Sequence, residues 1–192
     1  MMQLSDERLP LPSLESMTDA QRAAANDLIA GPRKGVKGPF IPLLRSPELM
    51  SRLQKVGEYL RFHSSVPPRL SEFATLCVAR SWSQQFEWVM HVPLALKAGT
   101  SKETIDAIGE GRRPTSMSLA EAAVYDFITE LLNTKGVAQT TYDAVIGEVG
   151  DQGVIDLVGI VGYFTSMCMV LNVAHTPPEP GHDVDLLPPL PC

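Results

Sequence analysis

Three polar residues, Gln84, Glu87 and His91, follow one another at steps of three and four along the chain. Such steps place side chains on one face of an α-helix. Glu72 stands nineteen residues before His91, in a segment that has the pattern of the preceding helix. Carboxylates and an imidazole that meet between two helices make a site that can take up and release protons. The spacing therefore indicates a site for general acid-base chemistry, with Glu72, Glu87 and His91 as candidate catalytic residues. A solvated helix face, where such pairs are common, is the structural alternative, and spacing alone leaves both open.

Three further residues near this pattern are candidates for binding a substrate. Arg80 can pair with both oxygens of a carboxylate, Gln84 can hydrogen-bond a carbonyl or carboxylate, and Trp88 can form an apolar wall. Each also has an ordinary structural explanation: a salt bridge for Arg80, a polar position in a first helical turn for Gln84, and core packing for Trp88. Spacing alone leaves both interpretations open.

Two residues of an earlier segment, Tyr59 and His63, are spaced four apart at a predicted helix end. They either extend the pocket or form an ordinary helix end, where a histidine suits the helix dipole. His63 together with Glu72, Glu87 and His91 would supply enough ligands for a divalent metal. The chain lacks short helical metal motifs such as His-Glu-x-x-His, however, so we predict no metal and no organic cofactor.

The segment from Leu70 to His91 resembles the carboxymuconolactone decarboxylase family, which includes the alkylhydroperoxidase D proteins. That family has a glutamate followed by Cys-x-x-Cys-x-x-x-His. Glu72 and His91 match the glutamate and the histidine, while Gln84 and Glu87 occupy the two cysteine positions. The resemblance extends over approximately residues 43–172. It implies an all-α, alkylhydroperoxidase D-like fold and a homo-oligomer, whether dimer, trimer or hexamer.

This resemblance implies two chemistries. One is cofactor-independent decarboxylation of a small carboxylated lactone or enolisable acid, as in aromatic catabolism; His91 would be the acid or base, Glu72 and Glu87 its partners, and Arg80 or Gln84 the substrate clamp. The other is thiol peroxidase or peroxiredoxin-like activity, which needs a reactive thiolate and a resolving thiol that this pattern lacks. A non-catalytic small-molecule binding or assembly protein on the same fold is the remaining alternative.

The composition is that of a globular protein rather than a nucleic-acid-binding one. The 192 residues are 44% hydrophobic and 20% charged, and the net charge of −6 provides no basic surface for nucleic acid. The odd cysteine count, Cys77, Cys168 and Cys192, argues against a disulfide framework and a tetrathiolate metal site. Because the start of the chain also lacks a signal-peptide pattern, we expect a reducing cytoplasm.

Capping signals and proline positions predict a chain that is nearly all helix. Residues 1–192 are expected to form one domain, with a helix and loop extension over 1–42 and a proline-rich tail over 176–192. The Gly- and Pro-rich segment 31–42 is expected to be a lid or a connector. The uncharged stretch 157–174 is expected to be a buried helix rather than a membrane span. The predicted helices start at Thr18, Pro47, Pro68, Ser83, Ser101, Ser118, Thr141 and Asp151.

Overall fold

The computed structural model describes residues 7–188, and this part of the chain contains helices and no strands. The predicted all-α fold is therefore confirmed. In chain order the helices are α1 (Asp19–Ala30), α2 (Phe40–Leu43), α3 (Pro47–Phe62), α4 (Pro68–Ser81), α5 (Gln85–Lys97), α6 (Lys102–Gly109), α7 (Leu119–Thr134) and α8 (Gln139–Ala174).

Local capping chemistry sets most helix starts, and here the predictions are confirmed. Thr18 and Ser118 each form a complete capping box, which satisfies backbone N–H groups that have no partner within the helix. Ser101 accepts a hydrogen bond from Thr104 N. Pro47 and Pro68 occupy first-turn positions, where the missing proline N–H costs nothing.

Helix α4 is the central element of the fold, because it packs against α5, α6, α7 and α8. Residues 73–80 are all buried, and Phe73, Leu76 and Val78 have no exposed surface. A helix that is apolar around most of its circumference must be surrounded by other elements. Glu72 lies near the start of α4 and is half-buried, so the acid stands at the edge of the core.

The predicted cap of α5 was wrong by one residue, whereas the predicted break at Gly150 is present. The N-cap of α5 is Gln84 rather than Ser83, since Gln84 Oε1 accepts hydrogen bonds from Phe86 N and Glu87 N. Ser83 instead adopts a positive φ of 46°. The predicted break between the helices that start at Thr141 and Asp151 is confirmed, because α8 is interrupted at Gly150, whose backbone is non-helical with φ 71° and ψ 177°. Only glycine adopts that conformation readily, which explains the predicted stop at this position.

Helix α8 packs its apolar residues into the core and supplies one wall of a cavity described below. Leu157, Ile160, Cys168 and Leu171 have no exposed surface. By length and hydropathy α8 is the one helix in residues 7–188 that could cross a membrane, but 56% of its most apolar window is buried inside the subunit. A helix that is mostly buried inside its own subunit is typical of a protein core.

The tail over residues 176–188 is not helical, as its prolines predicted, and it packs on α5. Leu187 is buried, and its backbone N–H and carbonyl both hydrogen-bond the Gln85 side chain at 2.9 Å. The indole N–H of Trp88 donates to the Asp185 carbonyl at 3.1 Å. Cys192 and the last prolines lie outside the described residues.

Gly57 allows α3 and α8 to approach each other closely enough to position two cavity residues. A Cβ atom at this position would overlap the Tyr163 hydroxyl and would lie 2.6 Å from Arg33 Nη2. Gly57 is buried, and both side chains pack directly over its Cα atom. The missing side chain therefore lets Tyr163 and Arg33 meet over α3.

We expect Gly57→Ala to destabilise the fold by about 1–3 kcal/mol, because overpacking forces Tyr163 and Arg33 away from their positions. Gly162→Ala is the matched control, since Gly162 also lies in a helix and a Cβ there would meet no atom within 4 Å. The control should gain up to about 1 kcal/mol from helix propensity. Urea unfolding measures both; equal stabilisation of the two variants would contradict the argument.

Candidate active site

The site lies between α4 and α5, which are joined by a short turn at residues 82–84. Glu72 comes from the first turns of α4, whereas Glu87 and His91 come from consecutive turns of α5. The structure brings these three side chains together, as their spacing predicted. His91 Nδ1 lies 2.6 Å from Glu72 Oε2, and His91 Nε2 lies 3.3 Å from Glu87 Oε2. Each imidazole nitrogen therefore faces a carboxylate.

Burial makes this arrangement electrostatically strong. His91 and Glu87 are only 5% and 4% exposed, and the imidazole packs edge-on against the Phe164 ring at a centroid distance of 5.1 Å. Burial by itself lowers the pKa of His91, but hydrogen bonds and charge interactions with Glu72 and Glu87 outweigh it and raise the pKa above its ordinary value of 6.5. His91 is thus poised to carry a proton near neutral pH.

A cavity of about 330 Å³ opens beside His91 and Glu87. Its walls come from residues 32–40, from the end of α3, from one face of α5 and from α8. Most of the lining is aromatic or aliphatic, including Phe40, Phe86 and Phe164. The 31–42 segment, predicted to be a lid or a connector, therefore forms part of the wall. Glu72 lies behind His91 and does not line the cavity.

Two arginines face the same cavity, and the sequence patterns did not identify them as site residues. Arg33 comes from the 31–42 segment, and Arg61 from the last turn of α3. The Nε atom of each is buried without a hydrogen-bond partner among the described residues. Arg33 Nη2 donates to Tyr163 Oη at 3.4 Å, and its guanidinium lies 4.6 Å from the centre of the Phe40 ring. Burial lowers the pKa of Arg33 and raises that of Tyr163 to about 12.

The signal for these arginines was weak because neither belongs to a recognisable motif. Arg61 lies between Tyr59 and His63, the two residues that had been singled out in that segment. Neither of those lines the cavity: Tyr59 Oη donates to Asp156 Oδ1 at 3.0 Å, and His63 is exposed. Helical rotation turns Arg61 and Phe62 toward the cavity instead.

The three residues predicted to bind substrate lie outside this cavity. Gln84 caps α5, and its Nε2 donates to Asn172 Oδ1 at 3.2 Å. Arg80 donates through Nη1 to the Pro188 carbonyl at 2.7 Å, and Trp88 donates to the Asp185 carbonyl in the same tail. Their observed hydrogen bonds are structural, so the geometry does not support binding by Arg80, Gln84 or Trp88 of a substrate beside His91.

The described cysteines are poorly suited to redox chemistry. Cys77 and Cys168 are free and buried, and neither lines the cavity. Desolvation raises the pKa of each thiol well above its ordinary value, which disfavours the reactive thiolate. Within residues 7–188, no three His, Cys, Asp or Glu side chains are grouped so as to hold a metal ion. The exposed His63 does not join the Glu72, Glu87 and His91 cluster.

We expect His91 to titrate above pH 6.5, and Glu72→Gln to lower its pKa by removing one charge and weakening one hydrogen bond. The raised pKa stabilises the fold fully below pH 6.5, the unfolded value, and this contribution is lost as pH rises through the folded pKa. Side-chain NMR titration gives the pKa, and unfolding at several pH values gives the linkage. Glu103→Gln, an exposed acid on α6, is the control. A pKa below 6.5 in the wild type would contradict this electrostatic analysis.

Comparisons with known proteins agree with the fold and with the sequence pattern of the site. Residues 47–130 match the model of the carboxymuconolactone decarboxylase family. A comparison with curated proteins gave no match.

Solved structures with the same fold share little sequence with this chain. An alkylhydroperoxidase AhpD core protein from Ralstonia eutropha JMP134, described as an uncharacterised peroxidase-related protein, has a TM-score of 0.73 at 15% identity, with 90% of this chain and 92% of that chain covered. A peroxidase-related protein from Silicibacter sp. TM1040 has a TM-score of 0.71 at 10% identity, with coverages of 91% and 92%. A protein of unknown function from Agrobacterium tumefaciens, named as a candidate AhpD antioxidant defence protein, has a TM-score of 0.64 at 14% identity, with coverages of 74% and 99%. Residues 47–130, somewhat less than half of the chain, thus resemble the carboxymuconolactone decarboxylase family, and the solved structures show that the chain has the alkylhydroperoxidase D-like fold.

Proposed function

We propose that this protein is a cofactor-independent lyase that decarboxylates a small carboxylated lactone or a related enolisable acid. The observation that carries the proposal is the buried chain of Glu72, His91 and Glu87, which ends in an apolar cavity large enough for a small organic acid. An imidazole with a raised pKa between two carboxylates is suited to general acid catalysis near neutral pH.

The proton in this mechanism moves through His91. When the bond between the substrate and its departing carboxylate breaks, the electron pair passes into the substrate and forms an enolate, and carbon dioxide leaves. The imidazolium then donates its Nε2 proton to the enolate carbon, directly or through Glu87, and is reprotonated from solvent. Glu72 holds the Nδ1 side of the ring and stabilises its positive charge. Glu87 and His91 both line the cavity, so either can reach a bound substrate.

Arg33 and Arg61 take the role of substrate clamp that had been assigned to Arg80 or Gln84. They place two guanidinium groups in the cavity that contains His91. A guanidinium bound to the departing carboxylate would favour the ground state, because the carboxylate loses its charge as carbon dioxide forms. The clamp is therefore assigned to a second carboxylate of the substrate or to the enolate oxygen, where negative charge persists or develops.

The cavity walls favour the same reaction. Phe40, Phe86, Phe164, Met90 and Leu94 present apolar surface next to the proton-transfer groups. Decarboxylation spreads a localised carboxylate charge over the substrate, so a poorly hydrated environment disfavours the starting anion more than the transition state. The cavity is thus better matched to a charge-dispersing reaction than to binding a highly hydrated anion.

A peroxidase function is less consistent with these residues, although structural neighbours are named as peroxidase-related. Gln84 and Glu87 occupy the positions of the two family cysteines, and the described thiols are buried away from the cavity. A binding or assembly protein on the same fold is the second alternative. It is distinguished by specific binding of a carboxylated lactone with no release of carbon dioxide.

The proposed enzyme functions as a homo-oligomer in the cytoplasm. Support for assembly comes from α8, where Ile155, Val158, Met169 and Val173 are apolar and exposed on the subunit surface. Support for a reducing compartment comes from the free thiols of Cys77 and Cys168. Its partners are small carboxylated substrates and further copies of this chain.

We expect His91→Gln and Glu72→Gln to reduce turnover of a carboxylated muconolactone by about 100- to 10,000-fold, the range typical of general acid-base groups. Ultraviolet absorbance and carbon dioxide release measure turnover, and reaction in deuterium oxide should place one deuterium on the product. Circular dichroism checks that each variant is folded, and Glu103→Gln is the control. Unchanged turnover in both variants would remove these residues from the mechanism, and binding without turnover in the wild type would favour a binding protein.

We expect Arg33→Met and Arg61→Met each to weaken binding of benzoate by about 10- to 100-fold, because each removes a charged hydrogen-bond donor from the cavity. Benzamide, which has a similar shape without the negative charge, should bind weakly and change little between variants. Arg52→Met is the matched control, since Arg52 lies on α3 but is exposed and paired with Glu48. Calorimetric titration makes the comparison; equal affinity for benzoate and benzamide in the wild type would contradict a charge clamp.

A further inference from the structure

A second cavity, of about 280 Å³, lies at the opposite end of α4 from Glu72. It is enclosed by the last turns of α4 and α6 and by one face of α7, and it shares no lining residue with the cavity beside His91. Ile108, Ile128 and Leu132 form its apolar wall, while Ser81, Thr129 and Asn133 add hydroxyl and amide groups. Arg80 is the one charged residue among the described residues that line it.

Arg80 is buried in this wall without a counter-ion among the described residues. The residue is only 5% exposed, and one of its nitrogens, Nη1, donates to the Pro188 carbonyl at 2.7 Å. Its Nε and Nη2 atoms are buried with no hydrogen-bond partner in residues 7–188. Unsatisfied donors on a charged group cost more than those on a neutral one, so this side chain retains a strong capacity to bind an anion.

The two unpartnered donors lie on the same edge of the guanidinium. The N–H bonds of Nε and Nη2 run nearly parallel along that edge, and their separation matches the two oxygens of a carboxylate. Gly111 leaves the space beside this edge unfilled. A Cβ atom there would stand 3.2 Å from Nη2 and 3.4 Å from Nε, and the positive φ of 76° also favours glycine.

We propose that this second cavity binds a small organic monocarboxylate through Arg80, at a site separate from the one beside His91. One guanidinium balances one negative charge, so a monocarboxylate fits better than a phosphate dianion. The isoleucine and leucine wall accepts the organic part of the ligand, and the hydroxyl and amide groups accompany its polar atoms. Because Arg80 and Glu72 lie on the same helix, eight residues or roughly 12 Å apart along its axis, α4 connects the second cavity to the Glu72–His91 pair.

The test follows the Arg80 Nε–H signal directly in nitrogen-15 NMR spectra of the full-length protein. An Arg33→Met, Arg61→Met background removes the arginines of the first cavity, and the loss of one signal in Arg80→Lys assigns Arg80. Benzoate should shift this signal in a saturable way, while benzamide should not. Arg80→Lys should weaken benzoate binding in this background by at least about tenfold, because lysine loses the planar fork. Arg112→Lys, exposed in the adjacent loop, is the matched control.

Several results would overturn the proposal. The first is the absence of a saturable benzoate-induced shift of the Arg80 Nε–H signal. The second is an equal shift with benzamide, and the third is an unchanged benzoate affinity in Arg80→Lys. Tighter binding of inorganic phosphate than of benzoate would reject the monocarboxylate. A shift that depends on protein concentration, with a doubled mass in light scattering, would assign the counter-ion to a second copy of the chain. If Arg80→Lys does not fold, Leu132→Trp tests the same proposal, since the larger side chain fills the cavity and leaves Arg80 in place. This variant should abolish the benzoate-induced shift.

Discussion

The short contact between His91 and Glu72 links α4 to α5. The geometry of the site therefore depends on the relative position of these two helices. Both groups stand at the edge of a core in which α4 is surrounded by four other helices. Removing one partner from such a pair would leave a charge without compensation in a poorly hydrated place, which costs more than the pair contributes. The buried residues 73–80 of α4 therefore do more than fill the core, since their packing fixes the distance between Glu72 and His91.

Charge in the first cavity is balanced across elements that are far apart in the sequence. Glu87 supplies the negative charge in the cavity wall, with Glu72 behind His91. The positive charges come from Arg33, Lys37 and Arg61, with Tyr163 beside Arg33. Because the two arginines come from the 31–42 segment and from the end of α3, the cavity is complete only when both lie against α5 and α8. At Gly57 the absence of a side chain leaves room for the Tyr163 hydroxyl and Arg33 Nη2.

Gln84 and Glu87, which occupy the cysteine positions of the family pattern that this chain resembles, lie at the start of the helix that presents His91. At position 84 the amide of Gln84 accepts the first backbone N–H groups of α5, so this residue now stabilises the helix start. At position 87 a carboxylate faces the second nitrogen of His91. A site of this type can hold and transfer protons, but it lacks the thiol pair needed to reduce a peroxide. At these two positions this chain thus has a helix cap, Gln84, and a carboxylate that contacts His91, Glu87.

The sequence by itself determined the helices and the pairing of Glu72, Glu87 and His91. Helix starts depend on capping side chains and prolines within a few residues, and Glu87 and His91 stand one turn apart on one helix, so local spacing carries that information. The family pattern added Glu72. Tertiary structure decided which arginines face which cavity. Arg80 lies eight residues after Glu72, a rotation of about 80° around α4, and this directs it to the tail and the second cavity instead of to His91. Arg33 and Arg61 enter the first cavity because segments distant in the chain pack together there, and no local sequence pattern predicts such a contact.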